Sequence, residues 1–241
     1  MTTSARATAA LGGLDATLAV ARVTLVRAMR NKSLWVAAFI AFLPEVFAGV
    51  AVRDPSIDRW EAVLAMWITC MTVATPVLLA ASIGEEFEER TMTYLWSRPL
   101  PRWSILTGKL VALVPILWLI GAAGLMLPWF TVFGRLASEH PSVLTDSLIG
   151  SAFGAIGLAA ITTALTTLAP KHGTSLSITY LLFVDGTLSH FDAKISNVSV
   201  LFHSRQLALA TSEGAGTAIG WILGLAAFWM MIAVWRVRRL E

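Results

Sequence analysis

The stretch from residue 110 to residue 134 reads LVALVPILWLIGAAGLMLPWFTVFG and contains no Asp, Glu, Lys or Arg. A helix needs about 20 consecutive apolar residues to cross the hydrocarbon core of a bilayer. The stretch is long enough for such a crossing, and it predicts a transmembrane helix.

Similar charge-poor stretches recur along the chain. The six predicted spans are Ser33–Val52, Val63–Ile83, Leu110–Gly134, Ser147–Ala169, Gly173–Phe191 and Ala215–Trp235. Only two charged residues, Glu45 and Asp185, fall inside them, and the alternating pattern of a membrane β-barrel is absent. The sequence therefore predicts an all-α, polytopic membrane protein with six transmembrane helices, whose transmembrane domain covers residues 33–241.

Composition agrees with a membrane protein. Charged residues make up 14% of the 241 residues and apolar residues 56%, whereas soluble domains carry about 25% charged residues. A soluble fold could not cover so much apolar surface, and a disordered chain would be more polar. The net charge of +3 is too small to indicate nucleic-acid binding.

Residues 1–32 form a separate N-terminal segment. Its apolar side chains recur at helical spacing, and they are Leu14, Leu18, Ala21, Leu25 and Met29. Arg27 and Arg30 lie on another face of the same helix. This pattern predicts an amphipathic helix that lies in the membrane interface or packs on the cytoplasmic side of the protein.

The basic residues predict the orientation. With six spans, 13 of the 18 Lys and Arg residues fall on the side that holds both termini. Because basic residues concentrate in cytoplasmic loops, we expect both termini in the cytoplasm and a multi-pass protein of the cell membrane, specifically a bacterial inner membrane.

The loop between the second and third spans has the most distinctive pattern. Four acidic residues at positions 85, 86, 88 and 89 precede Met92, Leu95 and Trp96, which form an apolar stripe at helical spacing. Pro99 and Pro101 then end this short helix. The helix suits a groove on a partner protein; the alternative is a solvated loop that only joins two spans.

These residues resemble a motif of the type-2 class of ABC transporter permeases. The matching residues are Glu86, Thr91, Leu95, Pro99, Arg102, Ile105, Leu106, Gly108 and Lys109. Arg90 stands where that family usually has Gly. The six-span plan and the N-terminal interface helix are similar to the family over almost the whole chain.

The resemblance implies a permease subunit that exports or flips a substrate by alternating access. It implies a homodimer, surrounded by membrane lipid, that pairs with two copies of an ABC-type ATPase. The loop 84–109 would be the cytoplasmic coupling helix that engages the ATPase. The implied coupling residues are Glu85, Glu86, Glu89, Arg90, Thr91, Leu95, Trp96, Pro99 and Arg102.

The chain itself has no recognisable ATP site or catalytic centre. Thr107-Gly108-Lys109 is similar to the end of a phosphate-binding loop, but Trp103 stands at the first Gly and Leu110 at the magnesium-binding Ser/Thr. We therefore expect no catalytic residues, no cofactor and no metal in this chain, with ATP bound by the partner subunit.

Glu45 and Asp185 are candidates for the substrate pathway. A carboxylate in a membrane is costly, and it usually faces the bundle interior or a wet cavity. The alternative is a structural carboxylate that is hydrogen-bonded to Ser, Thr or exposed backbone near Pro44 or Gly186.

The two carboxylates also leave two other functions open. One is a stand-alone proton- or ion-coupled carrier that uses Glu45 and Asp185. The other is a membrane enzyme whose activity depends on Asp185. The permease is the preferred interpretation, since paired polar breaks typical of such carriers are not visible.

A pattern of glycines concerns helix packing. Glycines line one side of the fourth span at 150, 154 and 157, and one side of the last span at 216, 220 and 224. They predict close helix packing within the bundle or at a subunit interface.

Six tryptophans near span ends predict anchors in the membrane interface, and they are Trp35, Trp60, Trp67, Trp129, Trp221 and Trp235.

Overall fold

A computed structural model describes residues 13–51, 56–88, 102–191, 194–210 and 214–239 of the chain. The longer helices are α1 (Gly13–Arg30), α2 (Lys32–Ala51), α3 (Ile57–Glu88), α4 (Arg102–Phe133), α5 (Pro141–Leu168) and α9 (Ala215–Arg238). The shorter ones are α6 (Gly173–Thr179), α7 (Gly186–Leu188) and α8 (Val200–Ala208), with a π-helical turn over Tyr180–Asp185. Three 3-10 segments cover Gly134–Glu139, Pro170–His172 and Lys194–Val198.

Five helices are long and apolar enough to cross a membrane among the described residues. They cover Lys32–Val50, Ile57–Gly84, Trp103–Glu139, Pro141–Leu168 and Ala215–Arg238. The predicted first, second, third, fourth and sixth spans coincide with them. Since a helix satisfies its own backbone hydrogen bonds in lipid, these apolar stretches fold as helices despite internal prolines at 44, 76, 115 and 128.

The predicted fifth span, Gly173–Phe191, has a different structure. It consists of α6, the π-helical turn and α7, which together run from Gly173 to Leu188. This run is shorter than the other five helices, and the backbone turns back after it. Six continuous spans are therefore not confirmed, and a crossing by this segment stays a prediction.

The two ends of the bundle are distinguished by the chain path. We call the end where α3 finishes and α4 begins the loop end, and the opposite end the far end. At the loop end, Ala233 and Val237 of α9 pack near Leu106 and Ala164. At the far end, Ala218 and Ile222 pack near Leu207. Both α1 and the last turn of α9 therefore lie at the loop end.

Helix α5 lies at the centre of the bundle, and 72% of the residues in its apolar stretch are buried. It contacts α3, α4, α8 and α9. The indole of Trp60 on α3 donates to Ser147 Oγ at 3.1 Å, and Ser147 Oγ donates to the Ala208 carbonyl at 3.2 Å. These bonds join α3, α5 and α8 at the far end.

The tryptophans divide into two groups. Trp60, Trp67 and Trp129 are buried, so the predicted interface anchoring is wrong for them. Trp67 donates its indole N–H to the Gly121 carbonyl at 3.0 Å. Its polar group therefore has a hydrogen-bond partner inside the bundle. In contrast, Trp35 and Trp235 expose more than half of their surface, and Arg239 stacks over Trp235 at 4.2 Å.

Candidate functional site

Asp185 lies at the end of the π-helical turn and is completely buried. Its Oδ1 accepts a hydrogen bond from the Val200 amide at 3.1 Å, and its Oδ2 accepts one from the Leu201 amide at 3.0 Å. The first amides of a helix have no acceptor within the helix. Asp185 therefore caps α8 from a remote position in the sequence, and its charge complements the helix dipole.

Ser199 completes this cap. Its hydroxyl donates to the Asp185 backbone carbonyl at 3.1 Å and accepts from the Phe202 amide at 3.1 Å. The amides at the start of α8 are thus divided between two acceptors, the Asp185 carboxylate and the Ser199 hydroxyl. This arrangement matches the structural alternative for Asp185, and its role in a substrate pathway stays a prediction.

Helix α8 begins deep in the bundle. A side chain at Gly157 would collide with Val200, and a Cβ at Gly150 would lie 2.7 Å from the Ala208 amide. Gly157 is about 24 Å from the far end of α5 and about 17 Å from its loop end, taking a rise of about 1.5 Å per residue. The α8 segment therefore begins inside the bundle and runs toward the far end.

The glycine stripe of α5 has an internal use. Gly150, Gly154 and Gly157 all face α8, which a Cβ at any of these positions would displace. Gly216, Gly220 and Gly224 of α9 instead have nothing within 4 Å of a hypothetical Cβ. Internal packing is therefore confirmed for the α5 stripe, whereas the α9 stripe faces outward from the described part of the chain.

Glu45 on α2 lies apart from Asp185. Its Oε1 accepts a 2.6 Å hydrogen bond from the hydroxyl of Thr131 on α4. Its Oε2 is buried and has no hydrogen-bond partner within the described residues. The two carboxylates that the sequence grouped together are thus on different helix pairs. A pathway role for Glu45 also stays a prediction.

The predicted coupling segment is described only at its edges. Glu85 and Glu86 belong to the last turn of α3, and Arg102 is the first residue of α4. The other predicted coupling residues lie outside the described residues, and they are Glu89, Arg90, Thr91, Leu95, Trp96 and Pro99. Their role in ATPase binding remains a prediction.

The Gly108-Lys109 pair at the end of the predicted coupling segment connects the helices at the loop end. Gly108 faces α1, and a Cβ there would lie 2.7 Å from the Thr17 carbonyl and 2.8 Å from Val20 Cβ. Lys109 is buried and donates to the Ser82 carbonyl of α3 at 2.5 Å. The first turns of α4 are therefore fixed both to α1 and to α3.

Helix α1 has a buried face and an exposed face, and its position in the membrane interface stays a prediction. Ala16, Thr17, Thr24 and Ala28 are buried, while Leu14, Leu18, Leu25 and Met29 are exposed. The small side chains thus face α4, and the large apolar side chains point away from the protein. This distribution fits a helix that packs on the protein with one face and lies against lipid with another.

A groove of about 320 Å³ lies between α3 and the segment from the π-helical turn to α8. Its apolar wall includes Ile68, Leu181 and Leu201. The polar lining residues are Thr69, Thr72, Thr187, Ser189, His190 and Arg205. Ligand sites commonly have such a volume and such a mixture of apolar walls with a few polar groups.

Sequence reasoning missed this groove. The available signal is a basic residue, Arg205, inside the amphipathic stretch Val200–Ala208. His190 and His203, the histidines near it, have structural bonds. His190 Nδ1 donates to the Gly186 carbonyl at 2.7 Å, and His203 stacks on Trp221 with centroids 5.9 Å apart.

No group of three or more His, Cys, Asp or Glu side chains that could hold a metal ion occurs in the described ranges. Cys70 is buried. The groove itself offers hydroxyl groups, the guanidinium group of Arg205 and apolar walls.

Comparison with known proteins identifies the family. Residues 50–188 match the family model described as ABC-2 family transporter protein. The match covers more than half of the chain, from the end of α2 through α7, and it includes the predicted coupling segment and part of the groove. No curated protein matches the chain. The chain belongs to the ABC-2 family of transporter proteins.

Proposed function

We propose that the chain is the transmembrane permease subunit of an ATP-driven ABC exporter. The observation that carries this proposal is the family match over residues 50–188, a region built from long apolar helices. A membrane domain of this family works with a separate ATP-binding subunit. Residues 84–109, from the end of α3 to the first turns of α4, would bind that subunit on the cytoplasmic side, and both termini would then lie in the cytoplasm.

The contacts at the loop end support a mechanical role for this region. Because α4 is joined to α1 through Gly108 and to α3 through Lys109, a displacement of its first turn would move three helices together. Two copies of the permease would enclose a substrate path, and ATP-driven closure of two ATPase subunits would alternate the access to it. This is the alternating-access step of the proposal.

A stand-alone ion-coupled carrier is less well supported. A proton- or ion-coupling carboxylate has to be reached from water during transport. Asp185 is buried, and both of its oxygens already accept amide hydrogen bonds from α8. Glu45 retains one oxygen without a partner among the described residues, and its other oxygen accepts from the neutral hydroxyl of Thr131.

The test is co-purification of the tagged chain with the ABC-type ATPase encoded beside it. We expect the wild-type chain to retain the ATPase and to increase its rate of ATP hydrolysis. The triple variant Glu86→Lys, Glu89→Lys, Leu95→Asp should lose both effects, because it reverses the charge and interrupts the apolar stripe of the coupling segment.

The matched control reverses two charges elsewhere, with Asp58→Lys at the start of α3 and Glu139→Lys after α4. Both residues are exposed, and both lie at the far end. If the control variant loses the ATPase while the triple variant retains it, the coupling segment is assigned to the wrong end of the bundle.

A further inference from the structure

The groove beside α8 reaches from the middle of the bundle toward the far end. Leu201 and Arg205 lie one helical turn apart on the same wall of it. Ser204, next to Arg205, faces Gly154 of α5, and the α8 segment ends opposite Gly150. Since Gly154 lies near the midpoint of α5, which is one of the candidate membrane spans, Arg205 lies level with the middle of that span.

Arg205 dominates the electrostatics of this groove. Its side chain is half-buried, and the described residues provide no hydrogen bond or ion pair to its guanidinium group. The residues that line the groove include no Asp or Glu. The neighbouring Asp185 is buried, with both oxygens bonded to the amides of Val200 and Leu201, so it does not project into the groove.

A positive charge in this position needs an anionic partner. Ionisable side chains within a membrane domain are costly and are usually paired, and guanidinium groups bind carboxylates and phosphates through paired hydrogen bonds. The hydroxyl groups of Thr69 and Thr72 already donate to backbone carbonyls, of Ala65 at 2.9 Å and of Thr69 at 2.7 Å. The strongest donor that remains for a ligand is therefore Arg205.

The opposite wall of the groove has a different character. Ala65 and Ile68 of α3 present apolar surface beside Thr69 and Thr72. The groove therefore offers a ligand both apolar surface and one positive charge. We infer that the groove binds an amphiphile with an anionic head group, held by Arg205, and an apolar chain that lies along Ala65 and Ile68. This inference rests on the proposed transport function and specifies its substrate class.

The anionic head group could belong to a bilayer lipid or to a free amphiphile, and the experiment has one arm for each. The full chain is purified and reconstituted in nanodiscs of phosphatidylcholine without the ATPase. The lipid arm compares spin-labelled phosphatidic acid with spin-labelled phosphatidylcholine. The free arm compares radiolabelled dodecyl phosphate with radiolabelled dodecylphosphocholine, each added from water.

We expect the wild-type chain to prefer the anionic probe over the zwitterionic one in at least one arm. Arg205→Gln should weaken binding of that anionic probe about tenfold, because a charge-assisted hydrogen bond is lost. Arg205→Lys should retain most of the preference. The matched control, Arg135→Gln, removes an exposed arginine outside the groove and should leave binding unchanged.

A second variant makes the test independent of Arg205. Ala65→Phe places a large side chain in the groove wall and should displace both kinds of probe. If Arg205→Gln fails to fold, the Ala65→Phe variant decides the test. The inference is overturned if Ala65→Phe still prefers the anionic probe, and it is supported if that preference is lost. A preference in only the lipid arm or only the free arm identifies the source of the ligand.

The inference is overturned if neither arm shows an Arg205-dependent preference, or if Arg135→Gln has an equal effect. Because binding is measured without the ATPase, these results do not depend on the coupling segment. A chain that binds its ATPase but shows no preference would refute the substrate class alone. A chain that shows the preference but binds no ATPase would refute the proposed function.

Discussion

Replacing Asp185 should release the start of α8. The amides of Val200 and Leu201 have no acceptor within their own helix, so their protection depends on the Asp185 carboxylate at 3.1 Å and 3.0 Å. Asp185→Ala leaves both amides buried without a partner. Each such amide costs about 1–3 kcal/mol, which gives a destabilisation of about 2–6 kcal/mol in total.

Asp185→Asn should have a smaller effect. Its amide group offers one carbonyl oxygen, which accepts from one of the two backbone amides, while its NH₂ group faces the other. We expect about half of the loss, or about 1–3 kcal/mol. The two variants therefore form a graded series from the same position.

The assay is amide hydrogen exchange of the purified chain, followed by mass spectrometry of the peptides from α8. In Asp185→Ala, exchange at Val200 and Leu201 should accelerate at least tenfold, since about 1.4 kcal/mol corresponds to a factor of ten. The Phe202 amide, which bonds to Ser199 Oγ, serves as an internal reference at the start of the same helix. Glu45→Gln should not change exchange in α8, because Glu45 bonds to Thr131 instead.

Unchanged exchange at Val200 and Leu201 in Asp185→Ala would refute the capping role. If Asp185→Asn then also abolished transport, the carboxylate would act on the substrate, as the pathway hypothesis holds. Faster exchange together with reduced transport would instead attribute the lost transport to the displaced helix.

Three further substitutions test the packing of the bundle by thermal unfolding of the purified chain. Gly124→Ala should lower the unfolding temperature, because its Cβ would overlap a backbone carbonyl of α2 and overpacking costs about 1–3 kcal/mol; Gly49→Ala, with open space around it, is the control, and equal behaviour of the two would contradict the close approach. Ser147→Ala should cost about 1–3 kcal/mol by leaving a buried indole N–H of α3 without its acceptor, whereas the exposed Ser175→Ala should have no effect; an unfolding temperature unchanged by Ser147→Ala would exclude this bond. Gly220→Ala should leave stability equal or raise it by about 0.5–1 kcal/mol, since nothing lies near its Cβ, and a fall would show that another helix packs on this face.

The sequence predicted the five long spans because lipid imposes a simple requirement on them. An apolar stretch in a membrane must form a helix to satisfy its backbone, and residues 110–133 are accordingly part of α4. The N-terminal helix followed from the spacing of its apolar residues for a similar reason. Both predictions depend only on local periodicity and length.

The carboxylate cap could not be predicted in the same way. Asp185 and Val200 are 15 residues apart, and their contact depends on how the chain turns back between α7 and α8. Hydropathy predicts one span over residues 173–191, because it depends only on how apolar the residues are. It does not distinguish a continuous helix from a short helix followed by a π-helical turn. The buried Trp60 shows a similar limit, since its position near a span end does not reveal its bond to Ser147.

The groove depends on tertiary contacts as well. Thr69 belongs to α3 and Arg205 to α8, so no local pattern relates them. The sequence shows that an arginine lies in an amphipathic segment, but it does not show where that arginine lies in the bundle. Its position is set by the packing of α8 against the glycines of α5. The site therefore becomes visible only when the packing of α8 is known.

The most direct measurement of the central claim is site-specific cross-linking to the ATPase. Cysteine is introduced as Leu95→Cys in a Cys70→Ala background, and the complex is treated with a short thiol–amine cross-linker. We predict a cross-link between residue 95 and the ATPase subunit, and none from Leu136→Cys, an exposed position at the far end. A cross-link from position 136 together with none from position 95 would contradict the account.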